Sequence, residues 1–542
     1  MQPLYSVTEI RAIETAAAGA LPPGALMARA GMAAADAALA LLLPCVHNAS
    51  VLVLAGPGNN GGDALEAANH LSQAGARVTV LHCPPDGAPS PERAAAWQRA
   101  AAGSSTIIDV GAHAVTVITG TRWRLVVDGL FGIGLARPVA GAMRALVQAV
   151  NELGEMRHGS GAGRSSLACA PLAGAAGKPG SAADQSGCPV LALDVPSGLD
   201  ADTGAVVGAD GIAIRATRTI TFIGDKPGLH TNAGRDHAGA VAVAALAIDA
   251  ALFPPTGVQL NDTGLFVTHL RARRHDSNKG SYGNVAVIGG ARGMAGAPIL
   301  AARTALNSGA GRVYVLYPEE ALAADSGQPE LMCRLAEGYD LENATLVIGP
   351  GLGSSDRARE LLARAIASGS ALLADADALN LIAADPALQQ ALARRAVPAV
   401  LTPHPLEATR LLGPDTTVAQ VQADRIATAR TLAARLNAIV VLKGSGTVIA
   451  MPDGDCAVNP TGNPALATAG TGDVLSGLCG SLLAQGWPQW EAALAAVWLH
   501  GTAADDLVAA GIGPIGLTAG ELIPAIRAAL NRAVRHIASA GA

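Results

Sequence analysis

At 542 residues the chain exceeds one ordinary hydrophobic core, so two or three domains are expected. Half of the residues are hydrophobic, 3% are aromatic, and Gly and Ala abound; this composition suits α/β layers and excludes a disordered chain. A net charge of -6 argues against general affinity for nucleic acid.

The start, MQPLYSVTEIRAIE, lacks the basic-then-apolar pattern of a signal segment. The most apolar stretch, 25–43, contains Arg29 and Asp36 and reads as a buried helix, so no membrane span is expected. VLVLAG (51–56) is a short apolar strand. GPGNNGGD follows, then ALEAANHLSQAG with helical spacing at Leu65, Ala68 and Leu71, then the strand RVTVLH (77–82). This is one βαβ unit with a right-handed crossover. Further strands are expected at LVVD (125–128), VLALD (190–194) and RTITF (218–222). Strands alternating with helices imply a parallel sheet covered on both faces. Residues 154–187, rich in Gly, Ala and Ser without a sustained period, read as a flexible surface insertion.

The pattern lapses over 251–275, where FPPTGVQLNDTG and the basic RARRHDSNKGS mark a boundary, the basic residues reading as solvated surface. Then α/β resumes with NVAVIGG (284–290), TLVIGPGLG (345–353), ALLADAD (371–377), PAVLTPHP (398–405) and AIVVLKGSGTVIA (438–450). TAGTGD and a long helical region close the chain. The expectation is an α/β protein of two tandem three-layer αβα domains, 1–250 and 276–542. The seven cysteines, Cys45, Cys83, Cys169, Cys188, Cys333, Cys456 and Cys479, form no CxxC pair, which fits a reducing cytoplasm better than a zinc or disulfide framework.

Three strand ends in the first half carry polar residues beside glycine turns. Gly56 to Gly61 formally match GxGxxG, but the next strand ends in His82-Cys83, where a dinucleotide fold wants an acid for the ribose hydroxyls. The polar density is unusual: Asn59, Asn60 and Asp63 lie within five residues. They form either a ligand loop or an Asx-rich turn that caps the following helix. Asp128 precedes GLFGIGL and Asp194 precedes VPSGLD. Ligands of open parallel sheets bind beyond the carboxyl ends of the strands, so these loops look like one site.

AGPGNNGGD, VVDGLFGIGL, LALDVPSGLD and TFIGDKPGL, in this order, resemble the NAD(P)H-hydrate epimerase family. The resemblance implies a Rossmann-like domain that interconverts the R and S hydrates of NADH and NADPH. It implies substrate contacts at Asn59, Asn60, Gly61, Gly62 and Asp63 and at Gly132, Ile133, Gly134, Leu135, Ala136, Arg137 and Pro138. It gives Asp194 the hydrated ring and the acid/base role, and K⁺ to Asn60, Asp128 and Ser197, an oxygen-rich set suited to a hard cation. Lys226 is a second acid/base candidate, with a solvated surface lysine as the alternative. Ala64 and Ile133 depart from the family's Gly and Thr, which bears on the epimerase rate.

In TAGTGDVLSG (468–477), Gly470 and Gly472 lead into a helix with Val474, Leu475, Leu478 and Leu482 on its apolar face. Unpaired N–H groups and a positive dipole end suit a phosphate. Asp473 suits a general base for a phosphoryl acceptor; the alternative is a helix N-cap. No lysine follows, so charge stabilisation is expected from the helix end and a metal.

KGSYGNVAVIGG, GPGLG, TPHPLEATRLL, KGSGTVIA and NPTGNPALATAGTGDVLSG resemble the ADP-dependent NAD(P)H-hydrate dehydratase family, whose fold is ribokinase-like. The resemblance implies an adenine-nucleotide pocket at Lys443, Gly444, Ser445, Gly446, Thr447 and Gly472. It places the hydrated nucleotide at Ala297, Gly353, His404 and Asp473, with Mg²⁺ on the donor phosphates and ADP as co-substrate. His404 has the alternative of a packed loop residue, and Asp375 and Asp377 that of capping the helix at ALNLIAA. Leu406 stands where the family commonly has Gly. A ribokinase-like kinase for a vitamin precursor or sugar, with a non-catalytic first domain, would carry much the same loop. The expected partners are hydrated NADH or NADPH and ADP, in a homo-oligomer.

Overall fold

The computed structural model describes residues 2–85, 87–111, 113–155 and 187–540. Two compact units emerge, Pro3–Thr256 and Gly257–Ala542, the second together with Gln2. Most of the glycine-rich stretch expected as an insertion, 156–186, lies outside the described residues.

The first unit opens with helices α1 (Val7–Ala18) and α2 (Ala25–Leu42). It continues β1 (Ser50–Ala55), α3 (Asn59–Gln73), β2 (Arg77–His82), α4 (Pro91–Ala102), β3 (Thr106–Asp109), α5 (Ala114–Gly120), β4 (Leu125–Gly129) and α6 (Gly141–Glu155). The strands β5 (Val190–Leu193), β6 (Arg218–Phe222) and β7 (Ala240–Ala244) follow. The sheet order is β3-β2-β1-β4-β5-β6-β7, and every pairing is parallel. The two-residue period of β1 divides the core: Val51 and Val53 pack with Ala34, Ala38, Leu65 and Ala68 of α2 and α3. Leu52 and Leu54 pack on the other face with Leu146 and Val150 of α6. The α2 helix is long and apolar enough to cross a membrane by length and composition, but Met27, Ala30, Ala34, Ala38 and Leu42 face the core.

In the second unit, β8 (Val258–Leu260) arises within the stretch expected as a linker. Then come β9 (Asn284–Ile288), α7 (Gly296–Asn307), β10 (Arg312–Tyr317), β11 (Met332–Leu335), β12 (Thr345–Ile348), α8 (Asp356–Ala367), β13 (Leu372–Ala374), α9 (Asp377–Ala384), β14 (Val400–Leu401) and α10 (Pro405–Leu412). Short helices at Pro386–Ala393 and Val418–Ala423 flank α10, and the chain goes on with α11 (Arg425–Leu436), β15 (Ile439–Leu442), β16 (Val448–Ala450), β17 (Cys456–Val458), α12 (Thr471–Ala484), α13 (Gln489–Ala509) and α14 (Ala519–Ala540). The order β8-β17-β16-β15-β14-β13-β12-β9-β10-β11 is parallel from β15 to β11. AIVVLKGSGTVIA is a hairpin, because Gly444 (φ +144) and Gly446 (φ +59) turn the chain between β15 and β16. Helix α12 lies close on the sheet and on α7 through its glycines: a Cβ at Gly480 would stand 2.3 Å from Val347 Cγ2, and one at Gly477 would stand 2.0 Å from Ala301 O.

Candidate functional sites

In the first unit the loops after β1, β4, β5 and β6 converge on a cavity of about 720 Å³. Its lining includes Asn59, Asn60, Asp63, Gly132, Ile133, Gly134, Leu135 and Asp194 among the expected residues. Gly61, Gly62, Ala136, Arg137 and Pro138 are not in that lining. Gly61 acts inside the loop: a Cβ there would stand 1.9 Å from Gly56 O. Pro138 lies against Gly208.

Helix α3 starts after Gly58 with no side-chain cap, so Asn59 and Asn60 are not the capping turn that was the alternative. Asn60 Nδ2 donates to Leu193 O at 3.2 Å, while its Oδ1 is buried without a partner. Asp128 is fully buried; Ser197 N and Oγ donate to its carboxylate at 2.9 and 2.7 Å, and Leu130 N at 3.2 Å. Burial pushes its pKa up to about 6 against those hydrogen bonds. Burial, with Asp194 and Glu14 nearby, also holds Asp63 well above the usual carboxyl range.

Asp194 is pinned at the strand end. Its φ is +64, a conformation rare outside glycine. Its Oδ1 accepts from Lys226 Nζ at 2.6 Å and its Oδ2 from Ile133 N at 3.1 Å. Lys226 is fully buried and also donates to Thr221 Oγ1 at 2.6 Å and Phe222 O at 2.8 Å. The surface-lysine alternative is thereby excluded. The departures from the family pattern also find their places. Ala64 sits inside α3 with helical backbone and is wholly buried, so no left-handed glycine is required. Ile133 reaches Asp194 through its amide, which any residue supplies.

Several participants carried no sequence motif. Arg11 and Glu14 line the cavity from the polar side of α1, and burial beside Asp194 raises the Glu14 pKa. Ile223 lines it with φ +70, an outlier for a β-branched residue. The buried Arg93 donates to Gly56 O at 2.8 Å and to Cys83 O at 3.2 Å, fixing the glycine loop from behind.

In the second unit Gly470 (φ +89) precedes α12 and offers no side-chain cap; Thr471 N donates to Thr468 O at 3.5 Å, and the Gly472 and Asp473 amides follow it uncapped. Asp473 is therefore the third residue of the helix and not its N-cap. Burial, then Asp375 and Asp377, push its pKa up to about 6 against the pull of Lys443. The lysine that the loop lacks arrives from β15: Lys443 Nζ is 2.9 Å from Asp375 Oδ1, and a Cβ on Gly472 would lie 3.3 Å from it. Burial alone would lower the Lys443 pKa, but Asp375, Glu407 and Asp473 outweigh it and hold it above the ordinary value.

Neither Asp375 nor Asp377 caps the helix. Ala376 takes the cap position with φ +50, a strained backbone between the two acids. Asp375 accepts from Lys443 and from Ser476 Oγ (2.7 Å), and Asp377 accepts from Gly353 N at 2.9 Å. Gly353 (φ +76) thus ties its loop to the acid, and Ala297 lies beside the same loop at Gly351. His404 caps α10: its Nδ1 accepts from Leu406 N at 3.1 Å and Glu407 N at 3.3 Å. Burial and Lys443 lower its pKa, and burial raises buried Glu407 to about 7. Leu406 is helical and exposed, so the loop accommodates it.

Strand-end acids round a cavity in one α/β unit, and an uncapped glycine turn with an acid in the other, define a two-domain nucleotide-handling enzyme. A family model described as YjeF-related protein N-terminus matches residues 23–228, and one described as NAD(P)H-hydrate dehydratase matches 285–526. The bifunctional NAD(P)H-hydrate repair enzyme Nnr of Coxiella burnetii is 35% identical, over 98% of this chain and 100% of that one. The ADP-dependent (S)-NAD(P)H-hydrate dehydratase of Neisseria meningitidis is 47% identical over 52% of this chain and 96% of its own. Among solved structures, the ADP/ATP-dependent NAD(P)H-hydrate dehydratase of Bacillus subtilis, co-crystallized with ATP/Mg²⁺, is 30% identical over 51% of this chain and 98% of that one, with a TM-score of 0.43. The chain belongs to the family of bifunctional NAD(P)H-hydrate repair enzymes.

Proposed function

We propose that the first unit interconverts the R and S hydrates of NADH and NADPH, and that the second dehydrates the S hydrate with ADP, giving NAD(P)H, AMP and phosphate. Beside the family membership, the observation that carries this reading is Asp473, an acid with a raised pKa in the first turn of an uncapped helix. Water adds to the enamine double bond of a dihydropyridine, so the hydrate bears its hydroxyl next to the ring nitrogen. Asp473 accepts that hydroxyl's proton as the oxygen attacks the terminal phosphorus of ADP. The P–O bond to AMP breaks, and AMP leaves with the electron pair. The ring nitrogen's lone pair then expels phosphate, and loss of a proton from the adjacent carbon restores the double bond. The α12 amides stabilise the charge on the migrating group.

In the first unit Asp194 is the acid/base residue at the hydroxyl-bearing carbon, and Lys226 holds it in place. Asn59 to Asp63 and Gly132 to Pro138 are assigned to the substrate, the latter segment to its phosphates. Asn60, Asp128 and Ser197 fit a K⁺ ion, since Asn60 Oδ1 is a buried oxygen lacking a partner and its companions supply further oxygen. The ion would screen the buried Asp128 charge. In the second unit Lys443 to Thr447 and Gly472 take the adenine nucleotide, and Ala297, Gly353 and His404 take the hydrate. Among the described residues no group of three or more His, Cys, Asp or Glu could hold a metal; Mg²⁺ carried on nucleotide phosphates requires no such cage. Among the described residues Cys83, Cys333, Cys456 and Cys479 are free thiols, and a cytoplasmic location is proposed with them.

The test is incubation of hydrated NADH with ADP and measurement of the reduced-nicotinamide absorbance. Recovery is expected. No recovery with either ADP or ATP, together with phosphorylation of a vitamin precursor or sugar, would replace this reading by the kinase.

A further inference from the structure

We propose that Lys443 is a catalytic residue of the second unit, its ammonium held by Asp375 against the phosphoryl group that crosses the α12 loop. This goes beyond lining an adenine pocket, and it rests on the ADP-dependent reading above. The Gly470–Gly472 turn supplies amides but no cation of its own. Lys443 is brought there by its main chain. Its N donates to Pro403 O at 2.9 Å, and the buried guanidinium of Arg425 donates to Leu442 O at 2.9 Å and to Lys443 O at 3.2 Å. Gly444 admits that guanidinium, since a Cβ there would stand 2.8 Å from it.

With the backbone fixed, the side chain turns to α12. Nζ meets Asp375 Oδ1, and the other oxygen of Asp375 accepts from Ser476 Oγ. Ser476 is four residues beyond Gly472, so it shares that face of α12. Asp375 is 1% exposed and gripped from both sides, whereas the Lys443 side chain is 21% exposed. The ammonium has three donors and gives one to Asp375, leaving two beside Gly472. A cation pinned in this way suits the terminal phosphate of ADP, the group AMP lacks.

The full-length enzyme can be titrated with AMP and with ADP by calorimetry, as wild type, Lys443→Met, Lys443→Arg and Asp375→Asn. Lys443→Met should weaken ADP by about 10- to 100-fold, weaken AMP far less, and lower kcat by about 10²- to 10³-fold. Lys443→Arg should recover part of the preference for ADP. Asp375→Asn, which frees the ammonium without removing it, should lower kcat more than it weakens ADP, with AMP again far less affected. Equal losses for AMP and ADP in Lys443→Met would overturn the proposal and return Lys443 to the adenosine end; so would no loss for either. AMP binding also reports that each variant is folded. The titrations need no hydrate, so a wild type that fails to restore NADH removes the activity reading and leaves the placement of Lys443 to be decided on its own.

Discussion

Lys226→Met tests the core of the first site. Methionine keeps the length of the stem and removes the ammonium. Lys226 is fully buried and gives its three donors to Asp194, Thr221 and Phe222 at 2.6, 2.6 and 2.8 Å. The variant leaves the Asp194 carboxylate with only the Ile133 amide and strips Thr221 Oγ1 of its donor, while Phe222 O keeps the Gly224 amide at 2.8 Å. Breaking a buried pair by removing one partner costs about 3–5 kcal/mol. At about 2–4 °C per kcal/mol for a domain of this size, the first unit's melting transition should fall by roughly 6–20 °C. Calorimetry on the full chain should show the second unit's transition in place and S-hydrate dehydration retained, while use of the R hydrate is lost. Lys226→Met combined with Asp194→Asn should regain much of the stability, because the orphaned charge is gone and Asn tolerates positive φ. A shift under about 2 °C for Lys226→Met would show that the ammonium is solvated and refute the argument.

Asp194→Ala should abolish R-hydrate use and spare S-hydrate use; unchanged R-hydrate use would exclude Asp194 as the acid/base residue. Gly132→Ala places a Cβ 2.7 Å from Asp194 Oδ2, so epimerase activity should fall by about tenfold or more with dehydratase activity unchanged. Asp473 must be deprotonated to act as base, and burial and Asp375 place its pKa at about 6; dehydratase kcat/KM should therefore fall about tenfold per unit as pH drops below about 6 and level off above it. Asp473→Asn should abolish that limb along with the activity. Ala376→Gly relieves a backbone at φ +50 and should raise the second unit's stability by about 1 kcal/mol, read as a higher transition temperature.

The strands that position both sites were legible because they are short apolar runs ending in Gly, Asp or Pro, such as VLVLAG and LVVDG. Edge strands were less so. Thr106–Asp109 has only two apolar residues, and the apolar run AVAVA at 240–244 is largely exposed and set in an alanine-rich stretch. Arg312–Tyr317 is different: RVYVLY carries a full strand signal of its own. At the sites, residues inside dense polar or glycine motifs could be named from sequence. Their anchors could not. Arg93 and Arg425 sit in no motif, and folding buries them beneath glycine loops. The strain at Asp194, Ile223 and Ala376 follows from loop closure and leaves no compositional trace.

Each unit pairs one lysine with one strand-end aspartate, and the difference between the two pairs separates their roles. Lys226 has all three donors engaged and no exposed surface, so it cannot reach a ligand; it holds Asp194, which lines the cavity. In the second unit the order is reversed. Asp375 is the buried member with both oxygens engaged, and Lys443 is the one with donors left and surface open beside the anion loop. A carboxylate presented by a lysine suits a proton transfer, and an ammonium presented by a carboxylate suits a phosphate. The distinction predicts opposite tolerances. Exchange of the buried member, Lys226 or Asp375, should act through the geometry of its partner. Exchange of the presented member, Asp194 or Lys443, should remove the chemistry itself, at the added cost of leaving its buried partner unpaired. Lys443→Met should therefore lower the second unit's melting transition by less than Lys226→Met lowers the first's, and a larger fall would show Lys443 to be a structural lysine as well.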